Sequence, residues 1–353
     1  MSYTNGLDKP TDYFNTVLYT GNGTGQSITG VGFQPDFVWC KRRSIIGQNF
    51  LQNIVQGTNK ALFSDSTSAE FTGGVDGGTS VTSFDSDGFT LGTEGGINGS
   101  GGTFASWNWL ASNTTASNTD GSITSTVSAN TTSGFSIVSY TGTGATATVG
   151  HGLGVTPQII IAKKRDTSGT DWITWGSILG GTVGSEFIKL NTTSAKTTGL
   201  DSSWFNNTAP TSSVFTVGTQ GDLNGSSATY IAYCFAEKKG FSKFGSYTGN
   251  GSTDGTFVYT GFKPAFFLIK RTDSTFQWYI HDNKRNSFNV MNKELYPSTS
   301  DAEATVDTKD FLSNGVKIRG SQVSQNASGG TYIYMAFAEN PFVTSTGIPT
   351  TAR

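Results

Sequence analysis

Short apolar runs of the length of β-strands, about four to eight residues, alternate with clusters of Gly, Asn, Ser and Asp along the whole chain. No stretch sustains the 3.6-residue repeat of an amphipathic helix. The pattern is clearest at Phe104 to Leu110, Tyr230 to Ala236 and Tyr332 to Ala338. Side chains alternate across a strand. One face therefore carries Ala105, Trp107 and Trp109, then Ile231, Tyr233 and Phe235, then Ile333, Met335 and Phe337. That large apolar face is expected to point into a core. The other face carries Asn108, Cys234 and Ala336 at one equivalent position, which suits a second, tighter contact.

The same order of landmarks returns three times. Tyr19-Thr20-Gly21-Asn22-Gly23 is matched by Tyr140-Thr141-Gly142-Thr143-Gly144 and by Tyr247-Thr248-Gly249-Asn250-Gly251. Pro35, Pro157 and Pro264 follow, each before an apolar run that ends in a basic pair: Lys41-Arg42, Lys163-Lys164 and Lys270-Arg271. Next comes an aromatic, with Phe50, Trp172 and Trp278 taken as counterparts, and later Asn98, Asn224 and Asn326 just before the closing strand. A repeat of roughly 100 residues with about seven or eight short strands points to an all-β fold of three tandem β-sandwich domains, most simply jelly rolls. The divisions are 1–111 for repeat one, 112–133 for a Ser/Thr/Asn-rich linker, 134–239 for repeat two, 240–340 for repeat three and 341–353 for a tail. The linker is expected to be extended, with one strand near Ile123 to Val127, so that repeat one can stand off. The tail is expected to serve as a tether or an inter-chain contact.

Composition supports a folded chain. There are 46 Gly in 353 residues, but also 25 Phe, 12 Tyr and 7 Trp, enough aromatic surface for cores. Net charge is −2 and no basic run could neutralise a row of phosphates, so nucleic acid is not an expected partner. No apolar run reaches the ~20 residues of a membrane helix, and Met1 to Gly6 carry no export signal, so synthesis in a cytoplasm without membrane insertion is expected. Cys40 and Cys234 fall at non-equivalent positions and read as buried hydrophobes.

Candidate chemistry is sparse. His151 and His281 have no counterparts in the other repeats and belong to no metal-ligand pattern, so neither a metal nor a cofactor is expected. Asp85-Ser86-Asp87-Gly88 reads as a polar hairpin turn, because the second repeat has no acid there. The three basic pairs read as charges that keep strand ends from pairing edge to edge. Trp175 aligns with His281 and Asn53, and Trp204 sits in a Ser/Asn-rich loop. Aromatic faces beside polar groups are what sugars use, which makes Trp175, Trp204, His281 and Asp282 the candidate glycan-binding residues. No catalytic residue is expected.

Phrases such as Leu18-Tyr19-Thr20-Gly21-Asn22-Gly23, Gly261-Phe262-Lys263-Pro264-Ala265-Phe266, Asp120-Gly121-Ser122-Ile123-Thr124-Ser125 and Gly347-Ile348-Pro349-Thr350-Thr351-Ala352-Arg353 carry a resemblance. With them the chain resembles repeat-bearing virion proteins of marine tailed bacteriophages, including cyanophages, over nearly its whole length. The resemblance implies concanavalin-like or jelly-roll sandwiches and a place on the phage particle as a fibre, appendage or capsid decoration. It implies other virion proteins, or a host-surface glycan, as partners. A homo-oligomer is expected from avidity, and a trimer is favoured by analogy with phage fibres. The alternatives are a polysaccharide depolymerase on a similar sandwich and a purely structural cement protein.

Overall fold

The computed structural model describes residues 7–73 and 77–350, so Met1 to Gly6, where the absence of an export signal was read, lie outside it. The fold is all-β, with antiparallel sheets and only single-turn helices. Each repeat builds a larger sheet around the same three strands. In repeat one, Phe14–Thr20 and Phe37–Arg42 flank the closing strand Thr103–Trp109. In repeat two, Phe135–Thr141 and Ile159–Lys164 flank Thr229–Phe235. In repeat three, Ser242–Thr248 and Phe262–Arg271 flank Thr331–Pro341. A smaller sheet accompanies each: Gln26–Thr29 with Gly88–Leu91 and Val81–Asp85, then Ala147–Gly150 with Val214–Val217, then Phe257–Tyr259 with Gly315–Ile318, Ala304–Leu312 and Met291–Glu294.

The repeated landmarks have local causes. Tyr19, Tyr140 and Tyr247 each donate a hydroxyl hydrogen bond to the carbonyl before the landmark Asn, at Ile97, Leu223 and Gln325. Asn98, Asn224 and Asn326 are fully buried, and their Oδ1 atoms accept from the amides of Asn22, Thr143 and Asn250 at 2.8–3.0 Å. Their amide groups donate to the carbonyls of Gly92, Gly218 and Gly320. One side chain thus stitches the lead turn to the closing turn in every repeat. A Cβ on Gly21, Gly142 or Gly249 would collide with the backbone of residues 98–99, 224–225 or 326–327, so glycine is required there.

Both faces of the closing strands are buried, and the large face points into a core as expected, but a core that the repeats share. The large face does not fill a private core of its own repeat. Trp107, Trp109, Ile231, Tyr233, Phe235, Ile333, Met335 and Phe337 meet in one cluster built by all three repeats. Phe37 stacks on Tyr233 at 4.4 Å, Phe14 on Phe337 at 5.1 Å, and Trp109 lies 5.6–6.4 Å from Phe235, Phe266 and Phe337. The small face, with Cys234 and Ala336, belongs to a separate core in its own repeat. Asn108 on that face is fully buried and bonds back to the carbonyl of Asn15. Small side chains leave room there for aromatics such as Trp175 and Phe215 in repeat two.

The 112–133 tract is not a free linker. Ala116–Asn118 and Ser125–Asn130 are paired strands that extend the second repeat's larger sheet. Its start is held to repeat one by the buried carboxylate of Asp36, which accepts from the amides of Ala111 and Asn113. Repeat one therefore does not stand off. In the tail, Ser345 donates to Asp8 at 2.6 Å, so residues 341–350 fold back on the chain's own beginning; Thr351 to Arg353 lie outside the described residues.

Candidate functional site

The basic pairs hold the first surprise. Lys41, Lys163 and Lys270 are fully buried, so they do not guard strand edges. Each Nζ joins two backbone segments. Lys41 donates to Gly47 of its own hairpin and to Thr299 of repeat three, at 2.5 and 3.1 Å. Lys163 donates to Thr170 and to Thr67 of repeat one, at 2.7 and 3.3 Å. Lys270 donates to Phe276 and to Thr193 of repeat two, at 2.5 and 2.9 Å. Burial pulls these ammonium groups down to about 8, about 8 and about 7.

Beside each lysine runs the same inter-repeat backbone bond. Glu70 donates to Arg165, Lys196 to Thr272 and Glu303 to Arg43, at 2.6, 2.9 and 3.0 Å. Two of the joints add ion pairs, Arg165 with Glu70 and Arg43 with Glu303. Repeat one holds two, two holds three, and three holds one. The chain is a closed ring.

The register also corrects two pairings. Lys41 and Lys270 stand opposite Asn49 and Trp278, and Trp172 comes just before Ile173, which stands opposite Ala162, the neighbour of Lys163, so Asn49 and not Phe50 is the counterpart. The indole N–H groups of Trp172 and Trp278 donate across the joints to Phe63 and Lys189, and Asn49 donates to Tyr296. Likewise Gln52, opposite Val38, is the counterpart of Trp175 and His281, and Asn53 that of Asp282.

The expected glycan-binding residues do not come together as a surface. Trp175 is 1% exposed and stacks on Phe205 at 4.6 Å inside repeat two. Trp204 is half-buried against Phe187 at 4.4 Å, on a helical turn capped by Asp201. Asp282 is buried, accepts from the Trp107 indole at 3.1 Å across the joint between repeats three and one, and pairs with Arg285 of its own repeat at 2.6 Å. His281 is fully buried with Lys309, Glu294 and Gln325. Lys309 Nζ lies 2.7 Å from its Nε2, and Gln325 donates to Glu294 at 2.5 Å. Burial, then the charges of Lys309 and Arg285, hold the imidazole well below its ordinary value, so it is neutral. Trp175, His281 and Asp282 are thus packed inside the fold and not displayed on a surface. His151 is a turn lock, with Nδ1 accepting from Leu153 and Nε2 facing the Thr211 carbonyl. Asp85 and Asp87 also serve a turn, bonding Thr90, Gly30 and Gly32. Among the described residues no three His, Cys, Asp or Glu side chains are grouped to hold a metal ion, and no helix is long and apolar enough to cross a membrane.

An open cleft of ≈ 540 Å³ lies in the third repeat. Met291 and Phe311 form apolar wall, Asn283, Asn340 and Ser287 supply polar groups, and Phe288 stands at 78% exposure. Sequence reasoning passed over Phe288 because it favoured tryptophans. The signal was there: a single aromatic inside the polar stretch Asn283 to Asn289.

These features define an all-β repeat protein closed into a ring, with one open cleft on its third repeat. The chain belongs to the family of the domain of unknown function DUF7483, whose model matches residues 9–341. That match spans all three repeats. No curated protein matches the chain.

Proposed function

We propose that this protein is a non-catalytic structural and binding component of a tailed-phage particle, made of three tandem β-sandwich repeats of the jelly-roll or concanavalin-like kind. The sandwich reading is supported by the pairing of a larger and a smaller antiparallel sheet around a private core in each repeat. The observation that carries the functional reading is the combination of a closed rigid ring with one open cleft. A ring locked by a common core and three joints is a durable platform, and none of the landmark residues that assemble it three times over lines the third-repeat cleft. The virion location rests on the resemblance of the repeat phrases. The partner is a host-surface glycan or another virion protein. Oligomerisation would multiply the clefts, which is the avidity argument for it, and the trimer is favoured by analogy with phage fibres.

Hydrolysis fits less well. The cleft is lined by one carboxylate, Glu339, and that group is paired with Lys263 at 2.8 Å, whereas glycoside hydrolysis by the usual routes uses two. A cement role is favoured by one observation. Ile45 and Ile46 stand 52% and 70% exposed on a hairpin of repeat one, where the second repeat carries Thr167-Ser168. The test has two parts. Proteomics of purified particles should find the chain at fixed stoichiometry, and the recombinant protein should bind host envelope or a particle lacking it. Absence from purified particles ends the proposal. Binding to particles without binding to host envelope selects the cement role.

A further inference from the structure

We infer that the third-repeat cleft is a carbohydrate subsite for an uncharged sugar unit, with Phe288 as its stacking platform. This rests on the binding role proposed above and names the ligand. Nearly all phenylalanines of the chain are buried or half-buried, yet Phe288 is 78% exposed. Its loop is built and not merely loose. The Asn283 amide donates to Ala265, the Asn286 side chain accepts from Asn292 and Lys293, and Asn289 exchanges two hydrogen bonds with the backbone of Phe311. The ring is therefore held out at the rim of the cleft by a fixed loop.

The chemistry around it suits a sugar. A pyranose has an apolar C–H face that packs on an aromatic ring, and hydroxyls that need partners. Asn283, whose side chain has an oxygen without a hydrogen-bond partner in the chain, is among the polar residues that line the cleft. Asn340 and Ser287 line the same space. Lys263 and Glu339 neutralise one another, which leaves no free charge in the lining for an anionic sugar. The volume of ≈ 540 Å³ falls within the ~300–1,000 Å³ of small-ligand pockets and admits a short oligosaccharide.

The test is titration calorimetry of the full chain with neutral hexose and N-acetylhexosamine oligomers, beside uronic-acid oligomers and extended peptides. At least one neutral oligomer should bind saturably. Phe288→Ala should weaken it about tenfold or more, the size of one lost stacking contact, with the melting temperature unchanged because the ring is exposed. Asn283→Ala should weaken it too. Neutral-sugar binding that survives Phe288→Ala places the site elsewhere and overturns the inference while leaving the binding role. Preference for the acidic oligomers or the peptides also overturns it. If no oligomer binds but the chain still attaches to host envelope or virion, the inference falls and the role stands. If nothing binds, both fall.

Discussion

The second and third repeats use one strand position for opposite purposes. Trp175 and His281 occupy the same register, each two strands over from the closing strand and each buried. Trp175 packs among Phe205, Phe215 and Cys234 in an apolar core. His281 sits instead with Lys309, Glu294 and Gln325, in the repeat that also carries the open cleft. The first repeat is intermediate: Gln52 accepts from the Val81 amide at 2.9 Å. The Tyr, Gly, Asn and Lys positions, by contrast, do the same work three times. Repetition therefore marks what assembles the ring, and divergence marks what each private core is free to change.

Two substitutions should cost most and separate these cases. Trp109→Ala empties the common core, and a buried Trp truncation costs about 3–5 kcal/mol. Because three repeats share that core, urea unfolding should stay a single transition with a lower midpoint. Separate transitions for the repeats would show that the ring is not one cooperative unit. Lys309→Met leaves Glu294 buried without its neighbouring charge, again at about 3–5 kcal/mol. Adding Glu294→Leu should recover part of that loss, with a coupling of about 0.5–3 kcal/mol. Strict additivity of the two would mean that the polar cluster does not act as a unit.

The joints come next. Lys163→Met removes the donor to the Thr170 carbonyl and should cost about 1–3 kcal/mol at pH 7. The three lysines also set a pH dependence. Their folded values, about 8, about 8 and about 7, lie below the unfolded value near 10.4, so the unfolded chain holds more protons between them. Stability therefore rises with pH over that interval. Above about 8.5 the buried thiols of Cys40 and Cys234, both raised, act the other way. The clean window is pH 7 to about 8.5, where the wild-type urea midpoint should rise. Lys163→Met should flatten the rise in part. A midpoint that falls across this window would show that the lysines are not held as described.

How much of this was legible in the sequence follows from the same distinction. The closing strands, the landmark turns and the burial of Trp107, Trp109, Phe235 and Phe337 could be read, because strand alternation and three-fold recurrence constrain them directly. Which partner covers each face could not. Alternation says that Trp109 and Cys234 face opposite ways, but not that the larger face meets two other repeats. The buried lysines were misread for the same reason. A Lys at a strand end looks solvated until another repeat's carbonyl is placed over it, as Thr299 is over Lys41. The burial of Trp175, His281 and Asp282 was not read because variation between repeats was taken for exposure. Here it records different private cores. Phe288 was readable only as an aromatic in a polar loop, a pattern without periodicity to support it.

The smallest expected effect lies one residue away from one of the larger ones. Lys163 and Lys164 are neighbours on the same strand, and alternation sends them to different surroundings. Lys163 is fully buried across a joint, whereas Lys164 keeps 17% of its side chain exposed and meets Asp166 only at 3.9 Å. An ion pair of that length, with its acid 36% exposed, contributes at most about 1 kcal/mol once solvent and salt screen it. Lys164→Met should therefore shift the urea midpoint little, and the shift should shrink further in high salt. The same substitution one residue earlier should be far less sensitive to salt, because the buried Lys163 ammonium bonds to neutral backbone carbonyls and not to an exposed acid. Equal losses for the two variants, with equal salt dependence, would mean that the inter-repeat joint contributes no more than a surface charge.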